Sequence, residues 1–233
     1  MDIFFKNSWA YASVILSLIV ILPILIIFFF LFYSGNDTWM HLKETVLASY
    51  AINSFILLIF SGIGTLLLGT VTAWIVVMYI FPLKKYLEWL LVLPLAIPSY
   101  ALAYVYSDLL DYGGFLTILF SLIMFTEINT INFYSIYGAI FVFIFSLYPY
   151  VYLLARQAFI AQSGTYIEVA KVSGLNIFSV FYKVAIPLAR PALIGGVILV
   201  IMETLADFGV ADYLGIETFT KGIYKAWFNL GDI

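Results

Sequence analysis

Long apolar runs separated by short polar stretches set the pattern of this chain. The runs extend from Trp9 to Tyr33, Ala51 to Ile80, Leu87 to Tyr106, Tyr137 to Ala155, and Pro191 to about Ala206. A helix rises about 1.5 Å per residue, so each run approaches or exceeds the length needed to cross a hydrocarbon core of about 30 Å. Backbone polar groups in lipid must be paired inside the spanning element, which a helix achieves one segment at a time. A transmembrane barrel would instead show alternating segments of about ten residues. The pattern predicts an all-α, polytopic transmembrane helical bundle with five spans. The first run is too long for a signal-peptide core, and "FLFYSGND" offers no small-residue cleavage site, so it reads as a retained anchor.

One apolar stretch, Phe115 to Phe125, is too short to span. With it placed outside the membrane, Lys6, Lys84, Lys85, Arg156, Lys171, Lys183 and Arg190 share one side, and Lys43, Lys221 and Lys225 the other. That is the positive-inside distribution, and letting the stretch span would destroy it. It is therefore expected as an interfacial or packed helix on the outer face. The amino terminus and the loops 81–86 and 156–190 are then cytoplasmic, and the tail from 207 lies outside. Residues 1–48 are expected to form an anchor span with its outer loop, and residues 49–233 the core.

Composition narrows the classes further. The chain is 65% hydrophobic with a mean hydropathy of +1.11, and its charge of −3 leaves no basic footprint for nucleic acid. It has no cysteine, which excludes disulfides, thiolate metal sites and a thiol nucleophile. Its one histidine, His41, falls in a polar loop. No phosphate-binding GxxxxGK[ST] loop, nucleophile-and-base pair or metal ligand set is readable. The chain is expected to work without catalytic residues or a cofactor.

Several span residues are candidates for packing or transport. Ser61, Thr65, Gly69 and Ala73 recur every four residues as a small-residue stripe that lets another helix approach closely, though small residues are also common in membrane helices. Pro94 and Pro98 should kink or break the third span, either to line a pathway or for ordinary packing. Glu203 falls within the hydrocarbon depth and Asp207 follows one turn later. They mark either the outer mouth of a cation route, near Asp212 or Tyr213, or an interfacial helix end.

The segment "YIEVAKVSGLNIFSVFYKVAIPLARP" concentrates charge, glycine and proline between oily runs. Apolar and charged residues alternate from Thr165, Ser173-Gly174 signals a left-handed helix stop, and Asn176 can cap a second helix reaching about Ala185. Pro187 and Pro191 are expected to punctuate its exit. Such a helix-turn-helix could lie among lipid headgroups, its lysines on anionic lipid, or could receive a cytosolic partner.

The spacing of Glu168, Ala170, Gly174 and Pro187 resembles the EAA signature of ATP-binding-cassette importer permeases: E-A-A, three residues, G, nine residues, I, any residue, L-P. Val169, Val184 and Ile186 depart from it by apolar exchanges. The segments "WLLVLPLAIPSYALAYVYSDLLDYGG", "LYPYVYLLARQAF" and "METLADFGVADYLGIETFTKGIYKAWF" are similar to permeases of ferric iron importers. The resemblance implies an inner-membrane permease that moves ferric iron on ATP hydrolysed by cytosolic ATP-binding subunits. Its implied partners are those subunits, an extracytoplasmic substrate-binding protein and a second permease half or copy within the lipid bilayer. Glu168 would make a charge contact with the ATPase and Gly174 the turn, so that loop 156–190 couples the two. Such permeases have six spans per half, so this chain is expected to be a truncated amino-terminal half, with a separate completing chain as the alternative. An ion-coupled secondary transporter or a permease for another small solute are the competing functions. A secondary transporter should carry more ionisable groups at mid-membrane.

Overall fold

The computed structural model describes residues 8–30, 45–110, 114–124, 132–163 and 166–230. Lys6, His41, Lys43, Glu127 and Asp232 lie outside the described residues. The chain divides into two compact units, Met1–Val46 and Leu47–Ile233. In the first, α1 (Ser8–Phe30) is apolar apart from its serines, of which Ser13 and Ser17 bond carbonyls of the helix itself, and its residues are exposed almost throughout, the pattern of a helix solvated by lipid.

The second unit is built on three long helices: α2 (Leu47–Met78), α6 (Ile136–Ser163) and α9 (Ile186–Ala206). Among the described residues no strand occurs. The central element is α6: Val142, Val151, Tyr152, Ala155 and Phe159 have no exposed surface. In lipid, apolar burial supplies little drive between helices, so the bundle depends on close packing and hydrogen bonds. The stripe on α2 lies in this contact, with Ser61, Thr65, Gly69 and Ala73 all buried. A Cβ on Gly69 would stand 2.8 Å from the Tyr148 carbonyl oxygen and 2.8 Å from Val151 Cβ, and one on Gly196 would stand 2.9 Å from Val151 Cα. Two helices thus meet α6 around Val151 with no room for a side chain.

The third apolar run is a broken element. It comprises α3 (Lys84–Leu90), a 3₁₀ turn at Leu93–Ala96, and α4 (Ser99–Leu110), and the stretches Lys84–Ala96 and Ser99–Ile123 on the two sides of the break are bent by 102°. Pro94 sits at the start of the turn and Pro98 just before α4. Counted by length and apolar composition among the described residues, four helices can cross a membrane, or five if this bent pair is one span. The short stretch forms α5 (Phe115–Met124), whose Thr117 hydroxyl donates to the Leu110 carbonyl at 3.1 Å.

Two expectations are corrected. The fourth helix does not stop at Ala155 but continues to Ser163, which places Arg156 inside α6 and shortens the following loop. Nor do Pro187 and Pro191 end a helix. From α8 (Ile177–Val180) the chain passes through a π-helical turn, Phe181–Ala185, directly into α9, with Pro187 in its first turn and Pro191 inside it. In a regular helix the Pro187 ring would press on the Lys183 carbonyl. The widened turn, in which the Ile186 amide donates to the Phe181 carbonyl, removes that clash.

The tail also folds. α10 (Gly209–Tyr213) and α11 (Phe219–Lys225) follow the end of α9, in the stretch from 207 onward for which no element was assigned from the sequence. Thr218 caps α11, and Asn53 and Ser54 of α2 bond the Glu217 carbonyl and the Phe219 amide at 2.9 and 3.1 Å.

Candidate functional site

The signature segment forms α7 (Tyr166–Val172), a turn, and α8. Gly174 adopts φ +83°, and the Leu175 amide reaches back to the Ala170 carbonyl at 3.2 Å, closing the helix end. Asn176 accepts a bond from the Ser179 amide at 2.8 Å and starts α8. The local chemistry of Gly174 and Asn176 therefore sets the angle between the two short helices. Their inner face, Ile167, Ala170 and Val180, is buried in the core of the bundle together with Ala185 of the π-helical turn that follows. Phe181 joins that core through Trp74 of α2, at 4.9 Å between ring centroids, and Phe159 of α6, at 6.4 Å.

The outer face is apolar and open. Val169, Val172 and Phe178 are 63%, 90% and 73% exposed, flanked by exposed Glu168, Tyr166 and Tyr182. The two-helix unit is thus seated on the bundle by one face and open on the other, and α8 continues through the π-helical turn into α9. Ala170 serves the seat, Glu168 the open face, Gly174 the turn, and Pro187 the junction with α9.

At the other end of α9, Glu203 is exposed and accepts a bond from the Tyr150 hydroxyl at 3.2 Å. Asp207, at the end of α9, accepts from the Val210 amide in the first turn of α10 at 2.7 Å, and burial pushes its carboxyl above the ordinary range. The neighbours expected for this pair are engaged elsewhere. Asp212 pairs with buried Lys221 at 3.5 Å, and the Tyr213 hydroxyl bonds Ser107 at 2.8 Å and Tyr134 at 3.3 Å. Lys225 donates to Glu217 at 2.8 Å, and this bond chiefly holds the Glu217 carboxyl below its ordinary range and the Lys225 ammonium above its own. Among the described residues no group of three His, Cys, Asp or Glu could hold a metal.

Sequence reasoning missed a ladder on α6. The Tyr148 hydroxyl donates to the Leu91 carbonyl at 2.8 Å, the Tyr152 hydroxyl to the Glu88 carbonyl at 3.4 Å, and Arg156 to the Glu88 carboxylate at 2.7 Å. The signal was the four-residue spacing of polar ends along one face of an apolar helix.

Comparison with known proteins accords with this architecture. Residues 65–226 match the family model described as the binding-protein-dependent transport system inner membrane component. The sulfate transport system permease protein CysT of Salmonella typhimurium is 27% identical over 172 residues, 72% of this chain and 59% of that protein. The Fe(3+)-transport system permease protein FbpB 2 of Haemophilus influenzae is 23% identical over 181 residues, 78% of this chain and 32% of that protein. A putative 2-aminoethylphosphonate transport system permease protein, PhnU of Salmonella typhimurium, is 28% identical over 179 residues, 75% of this chain and 62% of that protein. The chain thus spans about three fifths of the sulfate permease that it matches. With the matched region running from α2 through α11, the chain belongs to the family of binding-protein-dependent transport system inner membrane components.

Proposed function

We propose that this chain is a transmembrane permease subunit of an ATP-binding-cassette importer, multi-pass in the inner membrane with its amino terminus in the cytoplasm. ATP is hydrolysed by separate cytosolic subunits, and solute arrives from an extracytoplasmic binding protein. A second permease half or copy completes the pathway. The observation that carries this reading is the α7–turn–α8 unit: its spacing matches the importer signature, its open face is apolar, and it runs without interruption into α9.

Ferric iron is the proposed substrate. The Fe(3+) relative supports it, as do Glu203 and Asp207, two acids at the end of α9 that suit a cation route. Pro94 and Pro98 place irregular backbone beside α6, where a pathway can be lined. The sulfate and aminoethylphosphonate relatives favour a second reading, an oxyanion substrate.

The test is co-purification with candidate ATPase chains, followed by uptake into vesicles loaded with ATP. Gly174→Val should abolish the complex, because a β-branched residue at positive φ is strained by about 1–2 kcal/mol or more and redirects α8. A complex that forms equally well with Gly174→Val, or uptake that persists without an ATPase, overturns the proposal. Uptake of sulfate with no uptake of chelated ferric ion selects the second reading.

A further inference from the structure

The ladder on α6 has a target that elementary helix chemistry explains. Pro94 has no amide to donate, and the turn around it draws neighbouring amides into shorter loops. The Val92 amide bonds the Trp89 carbonyl and the Leu95 amide bonds the Val92 carbonyl. Consequently the amides that would serve Glu88 and Leu91 in a continuous helix are engaged elsewhere. Those are the two carbonyls that Tyr152 and Tyr148 bond.

The hold matters because, apart from Leu91 and Val92, which lie partly buried against the core between the two elements, few side chains of this segment pack inward. Neither α3 nor the 3₁₀ turn contributes a buried residue. On its amino-terminal side α3 hangs from Leu83, a non-glycine residue at φ 63°, and on the other side from the break before Ser99. Among the described residues, the side-chain bonds that α3 and its following turn receive from another helix come from Tyr148, Tyr152 and Arg156. The ion pair is partly open to solvent, with side chains 25% and 24% exposed, so it can break and re-form without stranding a charge in hydrocarbon. Arg156 also lies on the same uninterrupted helix as Ser163, the last residue of α6 before the signature segment. About two turns of α6 separate them.

We infer that Tyr148, Tyr152 and Arg156 form a positioning link that couples the α7–α8 unit to the broken element, with the Arg156–Glu88 pair as its releasable end. Displacement of α7 shifts the end of α6, Arg156 moves relative to Glu88, and the 93–98 break opens or closes with it. This inference rests on the chain being an ATP-driven permease, and it assigns roles in that cycle to residues outside the signature segment.

The experiment uses the complex with its ATPase subunits and measures ATP hydrolysis and uptake side by side. Glu88→Gln and Arg156→Gln should leave assembly and hydrolysis within about twofold of the parent while uptake falls about tenfold, the scale of a coupling loss. The exchange Glu88→Arg with Arg156→Glu should restore most of the uptake. Uptake that is unchanged in both single variants, that falls in step with complex abundance, or that is not restored by the exchange overturns the link. A parent complex without ATP-driven uptake would instead refute the proposed function. The link is then read from a cysteine introduced at Ser99, in a sequence that has no cysteine of its own, against the complex without that cysteine as the labelling blank. Its labelling by a water-soluble maleimide should quicken several-fold with Glu88→Gln, and an unchanged rate overturns the inference.

Discussion

Replacing Gly69 by alanine tests the packing argument most directly, because the added atom has a defined place to go. It would lie 2.8 Å from both the Tyr148 oxygen and Val151 Cβ, and 2.9 Å from the Tyr152 nitrogen. Comfortable contact needs about 3.5 Å or more, so α6 must retreat by about 0.7 Å or α2 must bend. Overpacking of this kind costs about 1–3 kcal/mol, against a gain of about 0.5–1 kcal/mol from removing glycine inside a helix. Gly196→Ala presses on the same residue, at 2.9 Å from Val151 Cα, and should behave alike. Gly62→Ala and Gly195→Ala meet Val197 and Leu154 at 3.6 and 3.7 Å, ordinary contact, and should be neutral or slightly stabilising. Thermal melts of detergent-solubilised protein, followed by the monodisperse fraction on size exclusion, should show the first pair melting lower, by about 2–4 °C per kcal/mol. Trimming Val151 to alanine should not rescue them, because the close atoms are backbone and Cβ. Four variants melting alike would refute close approach as the basis of the bundle.

The Glu217–Lys225 pair gives a pH dependence with a defined sign. The carboxyl lies below its ordinary 4.5, so its contribution is present above 4.5 and is lost as pH falls through the depressed value. The ammonium lies above its ordinary 10.5, so its contribution holds below 10.5 and is lost as pH rises through the raised value. Both side chains are about two fifths exposed, 38% and 43%, so the effect is under about 1 kcal/mol. Protection factors of the amides across 217–225, exchange rates corrected for the intrinsic pH dependence of amide exchange, should fall at both extremes, and factors unchanged outside that window would refute the pairing. Glu203→Gln should leave the complex and its ATP hydrolysis intact while lowering uptake of chelated ferric ion. Full uptake would remove Glu203 from the proposed cation route.

What could be read in advance divides by the range of the interaction. Apolar length was enough for the long helices, and single-residue chemistry was enough for the Gly174 turn and the Asn176 cap. The prolines were ambiguous because proline reports a missing amide and a bulky ring, while the response depends on neighbours. Pro187 reads as a stop in isolation, yet Trp74 and Phe159 hold Phe181 so that a widened turn carries the helix past it. The folded tail escaped notice because its anchors, Asn53 and Ser54, are 164 and 165 residues from their partners. The α6 ladder was hidden for a related reason. Its hydroxyls matter only once it is known which carbonyls the break at Pro94 leaves free.

These two responses to proline divide the molecule mechanically. At Pro187 the chain keeps a continuous helix, buries Val180 and Ala185, and packs aromatic rings around the junction. At Pro94 it surrenders helix continuity, buries none of α3, and entrusts the freed carbonyls to side chains of another helix. The first joint is stiff because bending it would disrupt a packed core. The second is more compliant because bending it disturbs two hydroxyl bonds and one partly exposed ion pair but no buried residue of α3 or the 3₁₀ turn. On the proposed link, a force applied to the α7–α8 unit would move α9 as a rod and change the shape of the α3–α4 break. That division follows from which carbonyls lost their amides and what replaced them, independently of the solute carried.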